Sequence, residues 1–510
     1  MILRPLALRP LTVAVVVWAL IALAAPHALQ AQVVNEAPPE SFDLSLCSKP
    51  SVAQSSNPIA RDLRTEFRDL VFDFCRVKED YKEDGFSGML ERQLGTVQDV
   101  IVDLFTGRGL HPTIGLIVPE GGTALGAALN DEWHITETPH IRFTTSVEAR
   151  ASASGFWAAG ALSHMQFDWY RAHDVGSFRM PQITVAVKHF DLPDMPFFGL
   201  GNQTSLSNRS LYKLTETELP ILVDFPLAHG LTLSGQVTAL YATSDPSTLF
   251  LTRFSESSAP GLRSRTTYIV PGLIASYRSP DVLYGLSGDA RVSYEYYEAL
   301  AGGKFTFDRA EARIAVHYGI EDQPFSQATF PYLRSVLGSS RFNIDANLVI
   351  SDPRAHNAVP FYLQPTLGGG DIHNENWLRS YTNYRFTAPN TVAYGVSYER
   401  RLIDPLGFSI FAQWGKTGLN PGDLDFDRLK HSIGIALALR LGGRAVAEFS
   451  IAWGGGEGSH TYATGNTNNA IGFGARAAGT VGLRGVFYRK TSAPIMTAQS
   501  DARRPPSSRR

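Results

Sequence analysis

The stretch Arg341–Ser351, RFNIDANLVIS, places Phe342, Ile344, Ala346, Leu348 and Ile350 at alternate positions, with Arg341, Asn343, Asp345, Asn347 and Ser351 set against them. Successive side chains of a strand point to opposite faces, so this reads as a β-strand with one apolar and one polar side; only Val349 is out of step. The same split recurs at 309–320, where Ala310, Ala312, Ile314, Val316 and Tyr318 oppose Arg309, Glu311, Arg313 and His317, and at 182–188. Further copies lie at 231–241, 291–297, 392–401, 408–415, 431–440 and 445–453. A soluble sandwich also alternates, but its strands average about five or six residues. Many of these runs reach about nine to twelve, the length that crosses a hydrocarbon core at a tilt near 45°.

Working outward, such runs start near Thr113, His140, Phe156, Pro181, Leu211, Leu231, Thr266, Val282, Phe307, Arg341, Val359, Thr391, Gly407, His431, Arg444 and Ala470, sixteen in all. An even number is what a single-chain antiparallel bacterial barrel requires. Tyr and Trp recur near the segment ends, as at Trp169, Tyr170, Tyr277, Tyr362, Trp414, Trp453 and Tyr488, where rings anchor at bilayer interfaces. The fold expected is all-β, a 16-stranded antiparallel transmembrane β-barrel with a small N-terminal helical periplasmic segment.

Composition agrees and excludes other classes. The chain has 510 residues, a formal net charge of −2 and 18% charged residues, so no basic field exists to attract nucleic acid. Hydrophobic content of 44%, aromatic content of 11% and 45 glycines are too apolar for disorder and unlike a helical protein.

At the N-terminus, Arg4 and Arg9 precede an apolar run from Leu11 to Ala25, then Pro26 and the small residues Ala28 and Ala31. These are the three regions of a secretory signal peptide, assigned to 1–31 with cleavage after Ala31, Ala28 being the alternative. No later window is apolar over 18 or more residues, so a membrane-resident form must be a closed barrel. An exported chain can form disulfides, and with only Cys47 and Cys75 present one pairing is available, two free thiols being the alternative.

Residues 32–109 form a periplasmic, mainly helical segment on this reading, the alternative being a linker that packs loosely on the barrel. Leu63, Phe67, Leu70, Val71 and Phe74 fall at helical spacing, as do Val97, Val100, Ile101, Leu104 and Phe105, with Gly85 and Ser87 between the two sets. The barrel takes 110–490, and 491–510, carrying Arg503, Arg504, Arg509 and Arg510 among Pro and Ser, reads as a disordered tail.

One region carries a more specific signal. The stretch Phe361–Gly418, FYLQPTLGGGDIHNENWLRSYTNYRFTAPNTVAYGVSYERRLIDPLGFSIFAQWGKTG, resembles the signature region of the BamA/TamA-type bacterial surface antigen superfamily of outer-membrane barrels. The family's Gly-rich approach falls on Leu367–Gly370, and its inward loop motif on Leu378, Arg379, Ser380 and Tyr381. The glutamate-bearing strand matches Tyr398–Arg400, and the next strand's motif matches Phe411–Gly415. A second match, DMPFFGLGNQTSLSNRSLY from Asp194 to Tyr212, resembles a segment common in members with few or no POTRA domains. No POTRA pattern is recognisable in the N-terminal segment.

The resemblance implies that Arg379 enters the lumen and meets partners on the two following strands. Alternation places Glu399 and Gln413 on the inner side if Val392, Tyr394, Val396 and Tyr398, and Phe408, Ile410, Ala412 and Trp414, face lipid. The expectation is that Arg379 pairs with Glu399 and hydrogen-bonds Gln413. Two residues depart from the family pattern: Ser380 stands for the motif glycine, and Gln413 for the usual aspartate, removing one negative charge from the fork.

Catalytic signals are absent. No Gly-x-Ser-x-Gly elbow or His-Glu-x-x-His helix occurs, so a hydrolase is disfavoured and no enzyme is expected. Asp371, His373 and Glu375 sit two apart, but alternating polar residues in a solvated loop explain them better than a metal clasp does. No catalytic residue, metal or cofactor is assigned. The resemblance implies a function in assembly, insertion or translocation of proteins or lipids at the bacterial outer membrane. Outer-membrane lipid and client outer-membrane or secreted proteins would be the partners, with no nucleic acid. The alternative is a passive or gated pore, or a surface-exposed binding protein, without insertase activity.

Overall fold

The computed structural model describes residues 109–134, 140–168, 181–228, 230–247, 253–279, 286–300, 304–319, 340–354, 356–372, 376–403, 406–441, 444–455 and 459–465. All belong to the second of two units, Phe86–Arg510. The expected signal peptide, helical segment, Cys47–Cys75 pairing and Arg-rich tail lie outside the described residues.

Among the described residues, eighteen strands follow in chain order. The first six are β1 (Gly109–Leu116), β2 (Thr123–His134), β3 (His140–Ser152), β4 (Trp157–Asp168), β5 (Gln182–Phe197) and β6 (Ser210–Ala228). Then come β7 (Leu231–Pro246), β8 (Arg265–Arg278), β9 (Leu286–Ala299), β10 (Phe307–Gly319) and β11 (Ser340–Pro353). After the short pair β12 (Thr366–Leu367) and β13 (Phe386–Thr387) follow β14 (Asn390–Ile403), β15 (Leu406–Gly418), β16 (Lys430–Leu441), β17 (Arg444–Trp453) and β18 (Ser459–Gly465). All but β12 and β13 form one 16-stranded sheet in which each strand pairs with the next, antiparallel throughout. The ends of the sheet approach one another, Cα atoms of β1 and β18 coming within 8 Å.

The sequence count of sixteen coincides with this sheet, although its members differ. The run at Val359 is not a strand: Pro360 and Pro365 bracket a 3-10 turn, Phe361–Leu363, whose three side chains are buried. Those residues are apolar because they pack into a core, and no ladder forms there. Conversely β2 and β18 escape the alternation rule. On β2 the inner positions 124, 126 and 128 are Ala, Gly and Ala, so the first half of the strand shows no polar face, and polar Asn130 enters only in its second half. The run starting at Ala470 lies outside the described residues.

The two faces of the sheet are chemically opposite. On β7, Leu233, Val237 and Tyr241 are 44%, 48% and 43% exposed, while Ser234, Gln236 and Leu240 between them, and Ala242 just beyond, are buried. Along the exposed face, among the described residues, charges stand towards strand ends: Asp191, Lys213, Asp245, Arg265 and Asp308 at one end, Asp131 and Arg400 at the other. Between them runs an uncharged band, exemplified by Leu219–Leu227 and Leu231–Tyr241. The opposite face carries Glu148, Arg150, Lys188, Glu216, Glu218 and Arg309, all buried.

Covering part of that charged face is the connection from β11 to β14, residues 354–389. An aromatic core forms beneath it at one end of the sheet. Phe361 meets Phe197 and Tyr212 at 4.7 Å each, and Tyr297 stacks on Phe307 at 4.3 Å. Arg309 of β10 fastens the connection to the sheet: Nη2 donates to the Leu363 carbonyl at 2.5 Å, and the guanidinium lies 5.1 Å from the Tyr297 ring.

Candidate functional site

The covering segment is shaped by its glycines. Gly368 and Gly369 have φ of +106° and +58°, and a Cβ at either would strike Thr382, Asn383 or Arg385 on the returning chain. Only glycine lets the two limbs pass this closely. The limbs join through β12–β13 and through Gly368 N and Gly369 N, which donate to the carbonyls of Trp377 and Leu378 at 3.0 and 3.2 Å. Leu378 turns the tip with φ +56°, a left-handed conformation that a leucine adopts only when its surroundings hold it. Its side chain is fully buried with Leu367, Tyr381, Phe386 and Ala393.

From that tip, successive residues reach successive strands. Gln413 of β15 holds the backbone on both sides: its Nε2 donates to the Asn376 carbonyl at 2.8 Å, and its Oε1 accepts from Arg379 N at 3.3 Å. An aspartate there could only accept, whereas the amide does both. The Arg379 guanidinium lies 4.5 Å over the Phe411 ring, and its Nη1 reaches Glu448 Oε1 on β17 at 2.5 Å. Ser380 N donates to Ser432 Oγ at 2.9 Å on β16, and Ser380 Oγ donates to the His431 carbonyl at 3.4 Å. The serine thus gains two anchors that use its hydroxyl or its position, and it is completely buried.

The carboxylate partner of Arg379 is therefore Glu448, not Glu399. Burial does alternate along these strands, Gln413 and Phe411 being buried while Val396 and Ile410 are exposed. Alternation is silent about height along the strand. Glu399 pairs with Ser409, four residues beyond the Gly395 that faces Gln413, or roughly 13 Å further along. Glu448 was legible only as the one acidic residue in RAVAEFSIAW.

The segment Asp194–Tyr212 packs against the same tip. Leu200 bridges Thr387, Gly201 N donates to the Thr387 carbonyl at 2.7 Å, and Arg385 Nη2 donates to the Thr204 carbonyl at 2.5 Å. Arg385, buried, also stacks 4.7 Å over Phe386. Sequence inspection missed Arg385, Arg309 and Glu448, whose roles depend on contacts between distant strands. Asp371 is buried in the segment, while His373 and Glu375 lie outside the described residues. Among the described residues, no group of His, Cys, Asp and Glu is arranged to hold a metal ion.

The sequence matches no family model and no curated protein. Among solved structures, the chain is similar to BamA from Haemophilus ducreyi lacking POTRA domains 1–3, at 11% identity and a TM-score of 0.46, covering 70% of each chain. It is also similar to CdiB from Escherichia coli, at 12% identity and a TM-score of 0.41, covering 70% of this chain and 62% of that one. A third, OccK10 (OpdN) of Pseudomonas aeruginosa, has 13% identity and a TM-score of 0.29, covering 70% of this chain and 97% of that one.

Proposed function

We propose that this chain is an outer-membrane β-barrel whose sheet closes edge to edge, with the segment 354–389 folded into its lumen. The observation that carries the reading is the uncharged band on the exposed face. The eleven residues Leu231–Tyr241 rise about 33 Å along β7, and at a tilt of about 40–45° they span about 23–25 Å, the height of an outer-membrane apolar band. Charged and hydroxyl side chains on the opposite face then line the interior, where they satisfy one another. Ser234 donates to Asp224, and Gln236 Nε2 and Tyr297 Oη donate to Glu295 at 2.8 Å each.

On this reading the barrel belongs with the BamA/TamA-type surface antigen proteins and acts in assembly, insertion or translocation of proteins or lipids. Support comes from the inward segment, whose arginine is tied to a carboxylate on an inner face, and from the packing of the second matched segment on it. The aromatic core at the loop end favours this over an open pore. Reconstitution into vesicles tests both: faster folding of a second barrel protein supports insertion, whereas steady conductance of the unmodified chain without such assistance would favour the pore.

A further inference from the structure

Glu120 sits in the turn between β1 and β2 with φ +74°, a backbone conformation that glycine would hold at no steric cost. Its carboxylate is engaged from two directions: Asn383 Nδ2 donates to Oε1 at 3.0 Å, and Arg209 Nη2 donates to Oε2 at 3.4 Å. Next to it, Tyr384 Oη donates to the Pro119 carbonyl at 3.5 Å. Five residues before Tyr384, Arg379 is bound to Glu448 of β17, and Tyr381 packs its ring against Gly455 in the β17–β18 turn, where any side chain would collide with the phenol. Six residues of one segment thus hold the first hairpin of the sheet on one side and the last hairpin on the other.

We propose that Glu120 is a positioning residue that completes a strap, Arg379–Tyr384, tying the β1–β2 hairpin to the β17–β18 hairpin. One end of the strap is Arg379 on Glu448; the other is Asn383 on Glu120. Asn383 is suited to the middle of this connection because its side chain works both ways: Nδ2 binds Glu120 while Oδ1 accepts from Gly370 N at 2.9 Å. Glu120 therefore acts through Asn383 on the neck of the segment and, through it, on the placement of Arg379. The strain of a glutamate at positive φ is offset by the contacts of its carboxylate. The strap stands whether or not the barrel inserts polypeptides, so its failure and the failure of that function are separable.

Hydrogen exchange on the folded full-length chain, resolved by peptide, tests this. E120A, which keeps the β-carbon but removes both oxygens, and N383L should each speed exchange at 379–384 by about five- to tenfold, the weight of one ordinary hydrogen bond, as well as at 117–122. In the double variant the acceleration should not multiply. E120G should behave like E120A although it relaxes the turn, and E120D, which keeps a carboxylate, should recover part of the protection. A change confined to 117–122 in E120A would overturn the proposal, because a purely local turn residue does that. So would slower exchange at 379–384 in E120G, which would make backbone strain, not the carboxylate, the thing that matters.

Discussion

Removing either partner of the Arg379–Glu448 pair should loosen the covering segment by an amount that can be worked out. Two unit charges about 4 Å apart attract by about 4 kcal/mol at an effective dielectric constant near 20, and desolvation offsets much of that. Breaking a fully buried pair from one side costs about 3–5 kcal/mol, because the other charge is left behind. Here the side chains are 16% and 22% exposed, and Arg379 Nε is buried without a hydrogen-bond partner, so part of the cost is already carried in the folded state. We expect R379A and E448Q each to lower stability by about 2–3 kcal/mol, with R379A slightly worse through its lost stacking on Phe411. Urea titration of the chain folded in vesicles, read by its gel mobility without heating, measures this. The double variant should cost little more than either single one, giving a coupling of about 2 kcal/mol. Additivity within about 0.5 kcal/mol would refute the pairing, as would stronger coupling of Arg379 to Glu399 than to Glu448.

Three other outcomes follow from the same geometry. V237R, in the middle of the exposed face of β7, should lower stability in vesicles by about 2–4 kcal/mol, whereas T243R, further along the same face, should be nearly neutral; equal small effects, as on a water-facing surface, would remove the membrane reading. G455A should disrupt the packing of Tyr381, since Gly455 has φ +68° and a Cβ there overlaps the phenol, and adding Y381L should restore part of the stability; no loss in G455A alone would show that Tyr381 is placed elsewhere. Asp425 accepts a hydrogen bond from Lys416 Nζ, and that contact holds its carboxyl below the ordinary aspartate range. A depressed folded value stabilises above the unfolded pKa and the contribution disappears as pH falls through the folded one, so K416Q should raise the Asp425 midpoint in an NMR titration; an unmoved midpoint would exclude the contact.

How much of this was written in the residues differs from element to element. Arg341–Ser351 alternates at every position but Val349 because its other inner positions are charged, amide or hydroxyl and its outer ones apolar, and β10, its neighbour, follows the same pattern. The first half of β2 carries no alternation signal because Ala124, Gly126 and Ala128 fill its inner positions against Leu125 and Leu129 outside, a contrast of size rather than polarity; in the second half Asp131 on the outer face sits between Asn130 and Glu132 and blurs the pattern. Val359–Leu363 was gained wrongly for the opposite reason: a buried loop is as apolar as a strand, and Pro360, which lacks a backbone donor, argued against a ladder there. Resemblance located the tip of the covering segment, and alternation gave the facing of Gln413. Neither reveals which carboxylate an arginine will reach, because that depends on strand stagger and on the ring of Phe411 that guides the guanidinium. Glu120 carried no signal at all, being one acidic residue in a turn.

The reach of the covering segment also orders events in time. Asn383 and Glu120 are 263 positions apart, and Arg379 meets a residue 69 positions further on. Contacts this distant are made slowly, since the intervening chain must first be confined. As the polypeptide emerges from its N-terminus, the segment appears before the strand that supplies Glu448, so it cannot seat until nearly everything else exists. A chain cut ahead of Arg444 would keep fourteen of the sixteen strands, the last two being β17 and β18, and still have no carboxylate for Arg379. Seating of this segment thus waits for the strand that carries Glu448.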